Sequence, residues 1–208
     1  MRMAPVTMVL MGLAVPALTG CFSGLSSKLP AQQRYVLQPR LAAPAAPASA
    51  PAGSVVVLRP SAAAGLGGDG IAVLRPGARL DYYSDARWAG DAPSTLQSLV
   101  IDSLRNAGSF ATVESDSGPF AAQYILGLEL EHFEARYSGD GPPSIEVTLV
   151  CSLGRRSDRT VIVSFTAHSS VPADADRMQA VIAAFGQATA QALAQVAANI
   201  VPPAAAAH

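Results

Sequence analysis

The feature that most constrains this chain is a pair of alternating runs facing each other across a short polar turn. In PSIEVTLVCSLG (residues 143–154), Ile145, Val147, Leu149, Cys151 and Leu153 fall on every second position. In TVIVSFTAHS (residues 160–169), Val161, Val163, Phe165 and Ala167 do the same. Successive side chains of a strand point to opposite faces, so period two predicts two strands with one apolar face each. The GRRSDR turn between them predicts an antiparallel hairpin. Such a hairpin needs a cover for its apolar face, and that demand organises the rest of the chain.

Upstream, AAQYILGLELEHFEARYS (residues 121–138) sets Leu126, Leu128 and Leu130 against Glu129 and Glu131, again a half-buried strand. SVVVLRP (54–60), IAVLRP (71–76), ARLDYYSD (78–85) and FATVES (110–115) read as further strands, and RYVLQ (34–38) as a first short one. In ARLDYYSD, Leu80 and Tyr82 share one face and Asp81 and Tyr83 the other. The Gly-rich AAAGLGGDG (62–70) reads as a flexible connection, because it lacks the Gly-Lys-Ser/Thr ending of a phosphate loop and opens no helix.

Two stretches have helical spacing instead. Pro93 and the Ser94/Gln97 spacing mark a start, and Leu96, Leu99, Val100, Leu104 and Ala107 recur on one face until Gly108 stops the run. The second is Ala-rich, spans residues 174–200 with aspartates at its beginning, and carries Met178, Val181, Ile182, Phe185, Leu193, Val196 and Ile200 on one face. The expected fold class is α+β: a largely antiparallel sheet with two amphipathic helices packed on one face. At 208 residues the chain has room for one such core plus appendages.

The appendages are legible from composition. MRMAPVTMVLMGLAVPALTG (residues 1–20) has one early arginine, an apolar run interrupted by Pro5 and Pro16, and a small-residue end. It falls short of the about 20 apolar residues a spanning helix needs and reads as an export signal. Residues 21–33 form a polar tether. The Ala/Pro-rich segment 40–53 cannot build a core and is taken as an enlarged loop inside a domain of residues 34–201. Residues 202–208 are expected to be a disordered tail.

Charge and titratable residues exclude several functions. A formal net charge of −1 without a basic cluster predicts no nucleic-acid partner, and GRRSDR reads as a solvated turn. Neither HExxH nor paired CxxC occurs, so no metal ligand set and no catalytic residue is assigned. Glu129, Glu131 and His132 suggest a metal site, but period two sends His132 to the opposite face unless a bulge intervenes. Cys151 belongs to the inward series and is expected to pack as a small hydrophobe.

Leu18, Thr19, Gly20 and Cys21 resemble the bacterial lipobox, in which the cysteine becomes the mature N-terminus. That resemblance implies covalent acyl (palmitate) and diacylglyceryl groups on Cys21 as the sole prosthetic attachment, with no other cofactor. At about 0.8 kcal/mol per buried CH₂, such an anchor tethers the protein without spanning the membrane. Phe22 is not the aspartate that retains lipoproteins in the inner membrane, which favours the periplasmic leaflet of the outer membrane over the inner one.

With that anchor placed, GIAVLRPGARLDYYSDARWAGDAPSTLQSLVIDSLRNAGSFATVES (residues 70–115) resembles the ABC-type transport auxiliary lipoprotein family, which includes the lipoprotein of the paraquat-inducible MCE transport system. The early Y-x-L at residues 35–37 and the passage from Tyr82 and Tyr83 into Arg87, Trp88 and Ala89 carry the likeness. It implies an adaptor beside an MCE-domain substrate-binding protein and, through it, an ABC permease and ATPase. These systems move lipids or other hydrophobic compounds between membranes. It also implies that the lipoprotein docks the periplasmic tunnel to the outer membrane, as a monomer or a homo-oligomer, and is not an enzyme. Tyr82, Tyr83, Arg87 and Trp88 would be either docking residues or core anchors beside the first helix. A lipid-anchored carrier enclosing an apolar ligand, and a general envelope scaffold, are the alternatives.

Overall fold

The structure, a computed structural model, describes residues 32–41, 51–119 and 121–200. The export signal, the lipobox, most of the tether, residues 42–50 of the Ala/Pro segment and the tail lie outside the described residues.

One long strand organises the sheet. β7 (Tyr124–Arg136) pairs along its full length with antiparallel β8 (Ser144–Arg155), which pairs in turn with antiparallel β9 (Val161–Pro172). The opposite edge of β7 is shared by three short strands, all parallel to it. β2 (Ala52–Val57) lies against residues 124–126, β3 (Ser61–Ala62) against 129–130, and β4 (Gly70–Arg75) against 134–136.

The Val-Leu-Arg-Pro repeat explains why this edge is broken. Leu58 N–H still reaches Leu126 O at 2.9 Å and Ala63 N–H reaches Leu130 O at 2.9 Å. Pro60, between them, has no N–H to donate, so the ladder is interrupted there. Pro76 follows the last residue of β4 in the same way.

From this edge the sheet branches. β2 continues into parallel β6 (Phe110–Ser115). β4 continues into antiparallel β5 (Arg79–Trp88), which pairs with parallel β1 (Gln33–Tyr35). The long ladders are antiparallel and the short ones mostly parallel, giving a mixed α+β sheet in which antiparallel pairing predominates. β1 and β2 belong to the same sheet, so the Ala/Pro-rich segment joins two of its strands.

Both helices cover one face. α1 (Ala92–Ala107) is capped by Asp91, whose Oδ1 accepts the Ser94 N–H at 2.9 Å, and it ends where Gly108 takes a left-handed φ of 66°. α2 (Met178–Asn199) starts four residues later than its acidic flank predicts, after an extended Arg177 with no side-chain cap. Asp176 is engaged elsewhere, accepting the Tyr137 hydroxyl at 2.6 Å. Ser103 Oγ donates to Leu193 O at 3.3 Å and ties the two helices together.

Beneath α2, Ile145, Val147, Leu149, Cys151 and Leu153 of β8 are fully buried. Burial of each such aliphatic side chain stabilises by about 1.5–3 kcal/mol relative to exposure. Ala184, Ala188 and Ala192 keep the buried side of α2 thin, which brings it close to this floor. Gln195 reaches from α2 to the edge of β9, accepting the His168 N–H at 3.1 Å and donating to His168 O at 2.7 Å. The side-chain amide thereby imitates a neighbouring strand and covers part of an exposed edge.

Two bulges re-aim side chains on the uncovered face. Between Leu130 and His132 the register shifts, so Glu131 is the extra residue and His132 lies opposite Thr148 on the same face as Glu129. Between Leu153 and Gly154 the partner jumps from Val163 to Val161, with Ile162 the extra residue. Val161 therefore departs from the inward series expected of it and is 62% exposed, while Ala167 is buried.

Candidate functional site

Leu18, Thr19, Gly20 and Cys21 lie outside the described residues. The other sequence candidates, Tyr82, Tyr83, Arg87 and Trp88, all sit on β5, where alternation sends them to different environments.

Trp88 is 3% exposed. Its ring lies 5.1 Å from Phe185 of α2 in an edge-on arrangement and 5.6 Å from Phe133 of β7. Phe133 and Phe185 close the triangle at 5.1 Å, so one aromatic cluster joins β5, β7 and α2. Trp88 Nε1 finds no acceptor among the described residues. Trp88 is thus a core side chain.

Arg87 works at the junction of three segments. It donates to Asp69 at 2.9 Å and to Gln32 at 2.7 Å, while the Trp88 N–H donates to Asp69 O at 2.7 Å. The GLGGDG stretch is therefore tied down at its acidic residue. Tyr82, 49% exposed, lies over the same loop and donates to Gly65 O at 2.9 Å. A Cβ on Gly70 would sit 2.6 Å from the Tyr82 ring and force it to shift, and Gly65 holds a φ of 86°, where any other residue is strained.

Tyr83, on the opposite face, meets Tyr137 oxygen to oxygen at 3.0 Å. Tyr137 gives its single proton to Asp176, so Tyr83 must donate to Tyr137. Burial, and then the Asp176 carboxylate, push the Tyr137 hydroxyl well above the ordinary phenol range, and burial also raises Tyr83. Tyr137 and Asp176 carry no local signal in the sequence. They matter because a strand end and a helix lead meet there.

On the uncovered face, the bulge does bring His132 to the side of Glu129, but its Nδ1 contacts Glu134 at 2.9 Å instead. The Glu134 side chain is 4% exposed and is compensated by Arg136 at 3.2 Å and by the Phe133 N–H at 2.7 Å. His168 contacts Thr148 at 3.0 Å. Among the described residues no three His, Cys, Asp or Glu side chains converge as a metal site would require. Cys151 is fully buried, and burial pushes its thiol up to about 12. Such a thiol is a packing group and a poor nucleophile.

The cavities are of two kinds. The apolar pocket against Trp88 holds about 40 Å³, room for little more than one water molecule. Larger spaces of about 940 Å³ at the β8–β9 turn and about 710 Å³ beside α2 are open clefts.

The same arrangement recurs in known structures. Protein XCC0632 from Xanthomonas campestris, of family DUF330, is 28% identical with a TM-score of 0.71, the match covering 79% of this chain and 92% of that one. A second solved structure, an uncharacterized protein 15% identical, shares the fold at a TM-score of 0.65 over 82% of this chain and 99% of its own. No curated protein matches the chain. The family model of the ABC-type transport auxiliary lipoprotein component matches residues 35–197, from the last residue of β1 into the last turn of α2. The aromatic cluster, the Arg87–Asp69 pair and nearly all of the two-helix cover lie within that match, and the chain belongs to this family of transport auxiliary lipoproteins.

Proposed function

We propose that the protein is the lipid-anchored auxiliary subunit of an MCE-type ABC system that moves lipids or other hydrophobic compounds between membranes. Acylated on Cys21 and seated on the periplasmic leaflet of the outer membrane, it docks the tunnel of the MCE-domain protein there. Its role is binding and positioning, without catalysis.

The observation that carries this reading is the extent of the family match. It takes in nearly the whole folded domain and begins shortly after the lipobox cysteine. The family is a transport component rather than an enzyme family. The carrier alternative requires an enclosed apolar cavity of about 300–1,000 Å³. The pocket at Trp88 is far smaller, at about 40 Å³, and the larger clefts are open, which favours docking over carriage.

Affinity isolation of the full-length lipidated protein in mild detergent tests the reading. The expected result is recovery of the MCE subunit with the permease and ATPase. Recovery of the lipidated protein without the MCE subunit contradicts the docking role.

A further inference from the structure

The GRRSDR turn does more than connect two strands. Arg155, Arg156 and Arg159 line one side of the 940 Å³ cleft, whose floor includes Val56, Leu58, Ile125 and Val161 on the face away from the helices. Leu58 is 38% exposed and Val161 is 62% exposed, two of the large apolar side chains that the fold leaves open to solvent. The bulge at Ile162 is what turns Val161 onto this floor.

The charge in the cleft is unbalanced. Arg155 is paired with Asp158 at 2.9 Å, but neither Arg156 nor Arg159 has a carboxylate partner among the described residues. Asp116, also in the lining, keeps its negative charge while accepting the Gln97 amide at 2.9 Å and the Arg59 N–H at 3.4 Å, and the positive charges of Arg156 and Arg159 still outweigh it. Arg159 also holds a left-handed φ of 59°, a conformation in which glycine or asparagine is the ordinary turn residue. Guanidinium groups beside apolar floor suit a ligand that brings carboxylates together with an apolar side chain.

The shape of the cleft selects between a protein and a membrane. A concave space of about 940 Å³ admits a side chain that projects into it, whereas docking on a flat bilayer surface calls for apolar side chains that protrude.

We infer that this cleft docks an acidic segment of a partner protein, one carrying at least one apolar side chain flanked by Asp or Glu. The inference rests on the anchored-adaptor reading and gives that adaptor its docking face.

The test places a photo-crosslinking amino acid at Val161, and separately at Tyr82, in the full-length lipidated protein in cells. The adduct peptides are identified by mass spectrometry. The expected Val161 adduct is an acidic segment of another protein. Its yield falls roughly tenfold in Arg156→Glu/Arg159→Glu and less in Arg156→Gln/Arg159→Gln, and is restored when the partner's acidic residues are changed to lysine. Both arginines are exposed, so thermal unfolding of these variants should match the parent. A phospholipid adduct, a second copy of this chain, no adduct, or a yield indifferent to the arginines overturns the inference. Capture of the MCE subunit from Tyr82 but not from Val161 removes the cleft and leaves the adaptor reading standing. A charge-dependent adduct to an acidic segment of a protein outside the transport system does the reverse.

Discussion

Replacing Trp88 by alanine removes the centre of the aromatic cluster. The side chain is 3% exposed and touches Phe133 and Phe185 from two other elements, so little can move in to fill the space. Truncation of a buried Trp costs about 3–5 kcal/mol, a large share of the roughly 5–15 kcal/mol that a domain has in total. Trp88→Phe should behave differently. It loses some contact area, but it also removes an indole N–H that has no acceptor among the described residues. A buried donor without a partner costs about 1–3 kcal/mol, so the two changes offset each other and the net loss should stay within about 1.5 kcal/mol. Urea unfolding followed by circular dichroism measures both variants. Trp88 is also the only tryptophan, so the parent's fluorescence reports directly on this position. It should be blue-shifted and shielded from acrylamide until the protein unfolds. A Trp88→Ala loss below about 1 kcal/mol, or free quenching of the native protein, would refute the core assignment.

Three further outcomes follow from the geometry. Asp91 is held below the usual carboxylate range first by the Ser94 N–H and then by Arg59, so its contribution is present above about pH 4 and is lost as the pH falls through the depressed folded value. Asp91→Ala should cost about 1 kcal/mol at pH 7 and progressively less in acid, and an equal cost at pH 2 in urea titrations would contradict the capping role. Cys151, with its thiol pushed up to about 12, should react with a thiol reagent at pH 8 only as fast as the domain opens, whereas rapid stoichiometric labelling of the native protein would show the burial to be wrong. Gln195→Ala should cost about 1 kcal/mol and promote self-association seen by sedimentation, because it uncovers the β9 edge at His168; a variant of unchanged stability and mass would refute that cover.

Most of the antiparallel half of the fold was legible because its information is local. The alternation of Ile145 through Leu153 needs no partner to be recognised, and all five side chains are buried. The parallel half was not, since which edge receives β2, β3 and β4 depends on pairings distant in the chain. The bulges at Glu131 and Ile162 are also invisible to a period-two count, yet they decide where His132 and Val161 point. The late start of α2 has the same origin: Asp176 belongs to Tyr137, a contact from another element. The Tyr-Tyr to Arg-Trp-Ala stretch could be picked out as distinctive, but its division into a loop cover (Tyr82), a hydrogen-bond relay (Tyr83), a junction (Arg87) and a core anchor (Trp88) required the fold. The turn at Arg155 to Arg159 looked like solvated charge, because the apolar floor that makes it a cleft comes partly from Val56 and Leu58, nearly a hundred residues earlier.

The claim on which the account turns is that this chain holds an MCE-domain protein at the outer membrane through Cys21. Flotation measures it directly: purified MCE protein is mixed with outer-membrane vesicles carrying the lipidated protein and centrifuged through a density gradient. The account predicts that the MCE protein floats with vesicles bearing the parent chain and stays at the bottom with Cys21→Ser or with vesicles lacking the lipoprotein. Flotation independent of Cys21, or none with the parent, would contradict it.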